Sequence, residues 1–164
     1  MADVDTIPEQ VPVTMALVPA TDAAGRTSSY FSVRNAAKCY FIVNIIQGNA
    51  ATVGLTVVQA TAAAGTGSKA IAGTHRIWAT QDVATAATVM PTRQTDASSF
   101  TTSATLANKV VVIEVDPATN LDVAGGFCYV AIVTGASNVA NLTQASVQFV
   151  GPRYAQAAFP SPRV

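Results

Sequence analysis

His75 is the one side chain of this sequence whose ordinary pKa lets it exchange protons near neutral pH. Catalysis or metal binding would need company: an acid to orient the ring, or further Cys, His or carboxylate ligands at a suitable spacing. His75 sits between Thr74 and Arg76 in a strand-like run with none of these at ligand spacing. It therefore reads as a structural or solvated histidine. Serines are plentiful, but no Gly-x-Ser-x-Gly turn presents one as a nucleophile. Residues 65–69, Gly-Thr-Gly-Ser-Lys, have the composition of a phosphate-cradling loop without its spacing. A P-loop has Gly directly before its Lys and a helix after it. Here Ser68 precedes Lys69 and the following residues are β-like or coiled, which leaves a flexible loop with one exposed lysine. Asp116, Asn120 and Asp122 could offer oxygens to a calcium ion, but their spacing is not that of an EF-hand, and Pro117 with Asn120 already explains a turn. Asn141-Leu142-Thr143 is a glycosylation sequon that carries little meaning without an export signal. No catalytic residue, metal or cofactor is expected.

That scarcity extends to the whole composition. Only 11% of residues are charged, the formal net charge is zero, and 50% are hydrophobic. Arg26, Arg34, Lys38, Lys69, Arg76, Arg93 and Lys109 are dispersed and offset by acids, so no basic field is available for nucleic acid. Neutral, apolar surfaces are the ones that associate. The longest apolar runs, such as 39–43, are far too short to span a bilayer. Residues 1–10 carry Asp3, Asp5 and Glu9 with no basic or apolar region, unlike a secretion leader. Cys39 and Cys128 could form one bridge, but without a leader reduced, buried thiols are favoured.

The elements that must position any contact residues are strands. Residues 11–17 place Val11, Val13, Met15 and Leu17 on one face, and Pro12 makes the segment an edge strand or an arm. Residues 38–46 are apolar on both faces, as in a strand covered on both sides. Gln47-Gly48-Asn49 reads as a turn into 52–59, where Val53, Leu55 and Val57 alternate with Thr52, Gly54 and Thr56, so the two runs are expected to form a hairpin. A small, Gly-rich segment at 60–73 is expected to be a mobile loop, followed by a strand at 74–80 carrying Trp78. Residues 82–88 allow one helical turn, Val89 and Met90 a short strand, and 98–105 a polar, β-prone and loop-like stretch. Further strands are expected at 109–115, 127–134 and 142–150. In the last, Thr143, Ala145, Val147 and Phe149 face inward and Gln144, Ser146 and Gln148 outward. The fold class is all-β: an antiparallel β-sandwich or jelly-roll-like barrel at 11–151, with extended arms at 1–10 and 152–164.

The run from Cys39 to Thr80 joins an apolar strand, a Gly-Asn turn, Thr-Val-Gly-Leu-Thr-Val-Val-Gln-Ala and Ala-Gly-Thr-Gly-Ser-Lys-Ala-Ile. It resembles small structural proteins of tailed bacteriophages, the head decoration or cement proteins. The resemblance implies a β-sandwich or jelly-roll domain that binds the outside of a capsid and stabilises it by bridging major capsid subunits, often as an oligomer and through extended termini. Its partners would be the major capsid protein and copies of itself, with no nucleic acid and no membrane, in a virion assembled in the host cytoplasm. Contact residues are then expected in the arms, at Val11, Arg153, Tyr154, Phe159 and Arg163, with Lys69 contributing from the Gly-rich loop. The alternatives are another phage component (a tail, head-fibre or head-completion protein) and a β-sandwich glycan- or ligand-binding module built around Trp78. Of the other aromatics, Tyr30, Phe31 and Tyr129 would belong to the same platform or to an interface.

Overall fold

The computed structural model describes residues 11–83 and 90–152, which form two antiparallel sheets packed face to face. The strands are β1 (Val13–Thr21), β2 (Arg26–Thr27), β3 (Phe31–Ser32), β4 (Ala36–Gln47), β5 (Gly54–Ala60), β6 (Lys69–Ala70), β7 (Arg76–Thr80), β8 (Thr92–Arg93), β9 (Ser99–Thr101), β10 (Asn108–Val115), β11 (Tyr129–Thr134) and β12 (Asn141–Pro152). A single helical turn, α1 (Pro117–Asn120), follows β10. The first sheet runs β1-β12-β4-β10-β7-β8, and the second runs β2-β11-β5-β6 with β3 added to β11 and β9 to β5. The molecule is an antiparallel β-sandwich.

Alternation explains the core. Cys39, Phe41, Val43 and Ile45 of β4, Val111, Ile113 and Val115 of β10, and Ala145, Val147 and Phe149 of β12 all point inward and are buried. They meet Leu55 and Val57 of β5 and Val130 and Ile132 of β11 from the other sheet. Phe31 and Phe149 pack with ring centroids 6.4 Å apart and planes tilted by 55°, a geometry aromatic quadrupoles favour. Most outer edges are two- or three-residue strands, which offer little backbone to a stray partner. The exception is β1, whose pairing with β12 is broken by two register shifts and which carries Pro19.

Three local expectations are corrected. The strands on either side of Gln47-Gly48-Asn49 do not pair with each other. Instead β4 lies between β12 and β10 in the first sheet and β5 belongs to the second, so this connection crosses the sandwich. Gly48 does not have positive φ; a Cβ there would approach the Ala140 carbonyl oxygen to 2.6 Å. The glycine answers to close packing rather than to a hairpin turn. The crossing is held by distant side chains: Asn141 Oδ1 accepts from Asn49 N at 2.8 Å, and Asn141 Nδ2 donates to Ala51 O at 2.7 Å. The buried Gln47 donates to Ser103 O at 2.7 Å and accepts from Thr102 Oγ1 at 2.9 Å.

In β1, Val13 and Met15 face outward beside Gln148 and Ser146, but the register shift after Met15 turns Leu17 into the core. They do not share one face. The Gly-rich segment is also tied down. Gly65 N donates to Ala62 O and Ser68 N to Gly65 O, while Tyr30 Oη donates to Ser68 Oγ at 2.7 Å. The helical turn expected at 82–88 and the strand at Val89 fall largely outside the described residues.

Candidate functional site

The residues expected to carry binding separate into two groups. Arg153, Tyr154, Phe159 and Arg163 lie outside the described residues. Val11 is half-buried just before β1, at the border of the first sheet, whereas Lys69 belongs to β6 at the border of the second. The fold does not bring these two together. Lys69 Nζ lies 2.7 Å from Asp122 Oδ2 and 4.1 Å from the centre of the Phe127 ring. Its hydrogen bond, with one from Gly125 N, holds the Asp122 carboxyl below its usual pKa.

Chain connectivity supplies a relation that spacing alone did not. Val13 at the start of β1 lies beside Gln148, and β12 ends four residues later at Pro152, opposite Ala36. The chain therefore enters the sheet and leaves it at the same end, on adjacent strands. The segment before β1 is acidic through Asp3, Asp5 and Glu9, and the segment after β12 carries Arg153 and Arg163.

The other candidates are placed as follows. His75 is buried at 2% exposure, and neither ring nitrogen reaches a hydrogen-bond partner of good geometry among the described residues. Burial pushes its pKa below the ordinary value, opposed by the nearby Glu114 backbone. Asp116 caps α1 by accepting from Ala118 N at 2.9 Å, and Asn120 Oδ1 accepts from Asp116 N at 2.9 Å. Their oxygens thus serve the turn. Among the described residues no three His, Cys, Asp or Glu side chains gather as metal ligands. Asn141 of the sequon is fully buried and hydrogen-bonded at both ends of its amide, out of reach of a glycosyl donor. Trp78 is half-buried under the Arg93 guanidinium, 5.0 Å from its ring, so it is no open stacking platform. Cys39 and Cys128 are free thiols; burial raises the Cys39 pKa. Cys128 Sγ accepts from Arg34 Nε at 3.0 Å at the wall of a recess of about 310 Å³.

A polar cluster on the first sheet joins residues that local reading could not connect. Glu114 Oε1 accepts from Lys38 Nζ at 2.7 Å and lies 3.6 Å from Arg76 Nη1, while Oε2 accepts from Tyr40 Oη at 2.9 Å. Burial pulls the Glu114 pKa upward, but the hydrogen bonds from Lys38 and Tyr40 and the two cations outweigh it, and the carboxyl stays below its usual value. Desolvation, and then the bond to Glu114, push the Tyr40 phenol up to about 12. An ionised carboxylate with two hydrogen-bond donors and a second cation beside it is a poor base, and a phenol so raised is a poor acid at neutral pH. This cluster is suited to holding strands in register. The one available signal was a lone Glu in an apolar strand, which demands a buried partner.

These charged rows belong to the outer face of the first sheet. Across it, register aligns Met15, Ser146, Ile42, Val112, Trp78 and Arg93 in one transverse row. Val13, Gln148, Tyr40, Glu114 and Arg76 form the next row. On the other side, Leu142 pairs with Ile46, and both are exposed, at 38% and 54%. Between these rows lie Gln144, Asn44, Val110 and Thr80, so the face mixes apolar and polar side chains. No helix among the described residues is long and apolar enough to cross a membrane. The fold defines an antiparallel β-sandwich with one broad, mixed apolar and polar sheet face. Comparison with protein-family models, curated proteins and solved structures finds no match.

Proposed function

We propose that this chain is a virion structural protein that binds the outside of a phage capsid and stabilises it by bridging major capsid subunits. The observation that carries this reading is the exit of both terminal segments, one acidic and one basic, from the same end of one rigid sheet. Two arms of opposite charge anchored at one corner can grip neighbouring subunits while the sandwich acts as a spacer. The resemblance of the run from Cys39 to Thr80 supports it, since that run builds β4 to β7 and so contributes to both sheets. A neutral surface suits a protein that packs in many copies, because self-repulsion is absent. Each interface of ordinary size buries roughly 1,600 Å² in total, and repetition over a shell multiplies the stabilisation.

Quantitative mass spectrometry of purified particles of the phage whose genome encodes this chain tests the reading. The expected result is a copy number close to that of the major shell protein. A handful of copies per particle would move the assignment to a tail, fibre or head-completion part, and absence from particles would end it.

A further inference from the structure

We infer that in the free protein the C-terminal segment 153–159 docks on its own sandwich, with the Phe159 ring seated in the recess beside Cys128. This goes beyond the proposed function, which concerns contacts on a particle, and it holds or fails in the isolated chain. The recess encloses about 310 Å³, and its wall is largely apolar, built from Val33, Pro117, Leu121, Val123 and Phe127. An apolar cavity of about 150 Å³ already accommodates benzene, so one aromatic ring fits. Val123 is 57% exposed, which is apolar surface that gains from being covered.

The path of the chain selects the occupant. β12 ends at Pro152 opposite Ala36, and Arg34 and Asn35, just before Ala36, form part of the recess wall. The chain therefore leaves the sheet one strand spacing, about 5 Å, from the residues that lead into the recess. Continuing this register by two residues sets Tyr154 opposite Arg34, whose exposed guanidinium can take an aromatic ring against it. Phe159 follows Pro152 by seven residues, a reach of up to about 23 Å and several times that spacing. Tethering holds the ring near the recess at a roughly millimolar effective concentration, which a dilute second copy does not match. The N-terminal segment fits less well. Residues 1–10 contain no aromatic side chain, and they lead into β1, on the far side of β12 from β4.

Cys128 reports occupancy, because its residue lines the recess while Cys39 is fully buried and should stay silent. N-ethylmaleimide labelling of the folded full-length protein, read by mass spectrometry, tests the contact. Cys128 should react roughly tenfold more slowly in the wild type than in Phe159→Ala or in a chain ended at Pro152. Val123→Asp, at the exposed rim, should release the ring from the other side and speed labelling in the same way. In NMR, the backbone heteronuclear NOE of residues 154–159 should match that of the strands and drop in Phe159→Ala. The wild-type rate should be independent of protein concentration. Equal Cys128 rates in wild type, Phe159→Ala and the shortened chain would overturn the inference. So would protection that grows with concentration, which makes a second copy the occupant, or protection lost only on removing residues 1–10, which assigns the recess to the acidic segment.

Discussion

Asp22→Ala should be among the most damaging single substitutions outside the apolar core. Asp22 is fully buried where β1 ends. Its Oδ1 accepts from Arg26 Nε at 3.1 Å and from Thr134 Oγ1 at 3.0 Å, and its Oδ2 accepts from the Thr143 hydroxyl. One carboxylate thereby joins the β1–β2 connection to β11 in one sheet and β12 in the other. Removing it strands two buried hydroxyls, each costing at least about 1 kcal/mol. The Arg26 side of the loss is softened, because its guanidinium also donates to Val18 O, Ala20 O and Thr143 O and the side chain is 20% exposed. The total is then about 3–4 kcal/mol, near the low end for breaking a buried ion pair. For a chain of this size that lowers Tm by about 10 °C. Thermal and urea unfolding would measure it, with Asp22→Asn retaining one acceptor and losing roughly half as much. In a double-mutant cycle with Thr143→Val, the two losses should be less than additive by about 1 kcal/mol. A Tm within about 3 °C of wild type, or strict additivity, would refute the argument.

Two further outcomes follow from the buried titratable groups. His75 is held neutral in the fold while the unfolded chain binds its proton at about pH 6.5, so acid favours unfolding. The urea midpoint should fall as pH drops below about 6.5 toward the lowered folded value, and His75→Phe should flatten the profile there; an unchanged slope would mean the histidine is not responsible. In Glu114→Gln, the Tyr40 phenol should titrate below about 12, though still above an ordinary tyrosine because its burial remains. Ultraviolet titration against a Tyr40→Phe control would read this, and no shift would show that Glu114 does not act on the phenol.

Much of the sandwich is legible because burial on one side imposes a period of two. In 142–150, Ala145 and Val147 face inward and Gln144, Ser146 and Gln148 outward, as their types require. β10 was equally plain from its run of valines. Pairing was less accessible. Gln47-Gly48-Asn49 carries a local turn signal, but β4 finds longer ladders with β12 and β10 than β5 could offer. The candidate site suffered in the same way. Lys38, Tyr40, Arg76 and Glu114 are each unremarkable in their own strands and become a cluster through register alone.

By itself, the sequence determined the class of the molecule. Short Val-, Ile- and Thr-rich runs separated by Gly, Asn and Pro favour strands, and so few charges leave little to assemble into chemistry. Those are properties of residue types and their immediate spacing. Tertiary structure alone decided which strands are neighbours, that the 47–53 connection crosses between sheets, and that both terminal segments emerge at one corner. It also decided that Val13, Met15, Ile46 and Leu142, left over from the core, share the outer face of the first sheet. Such facts depend on contacts between residues roughly a hundred positions apart, whose closure is rewarded only when the whole sheet forms.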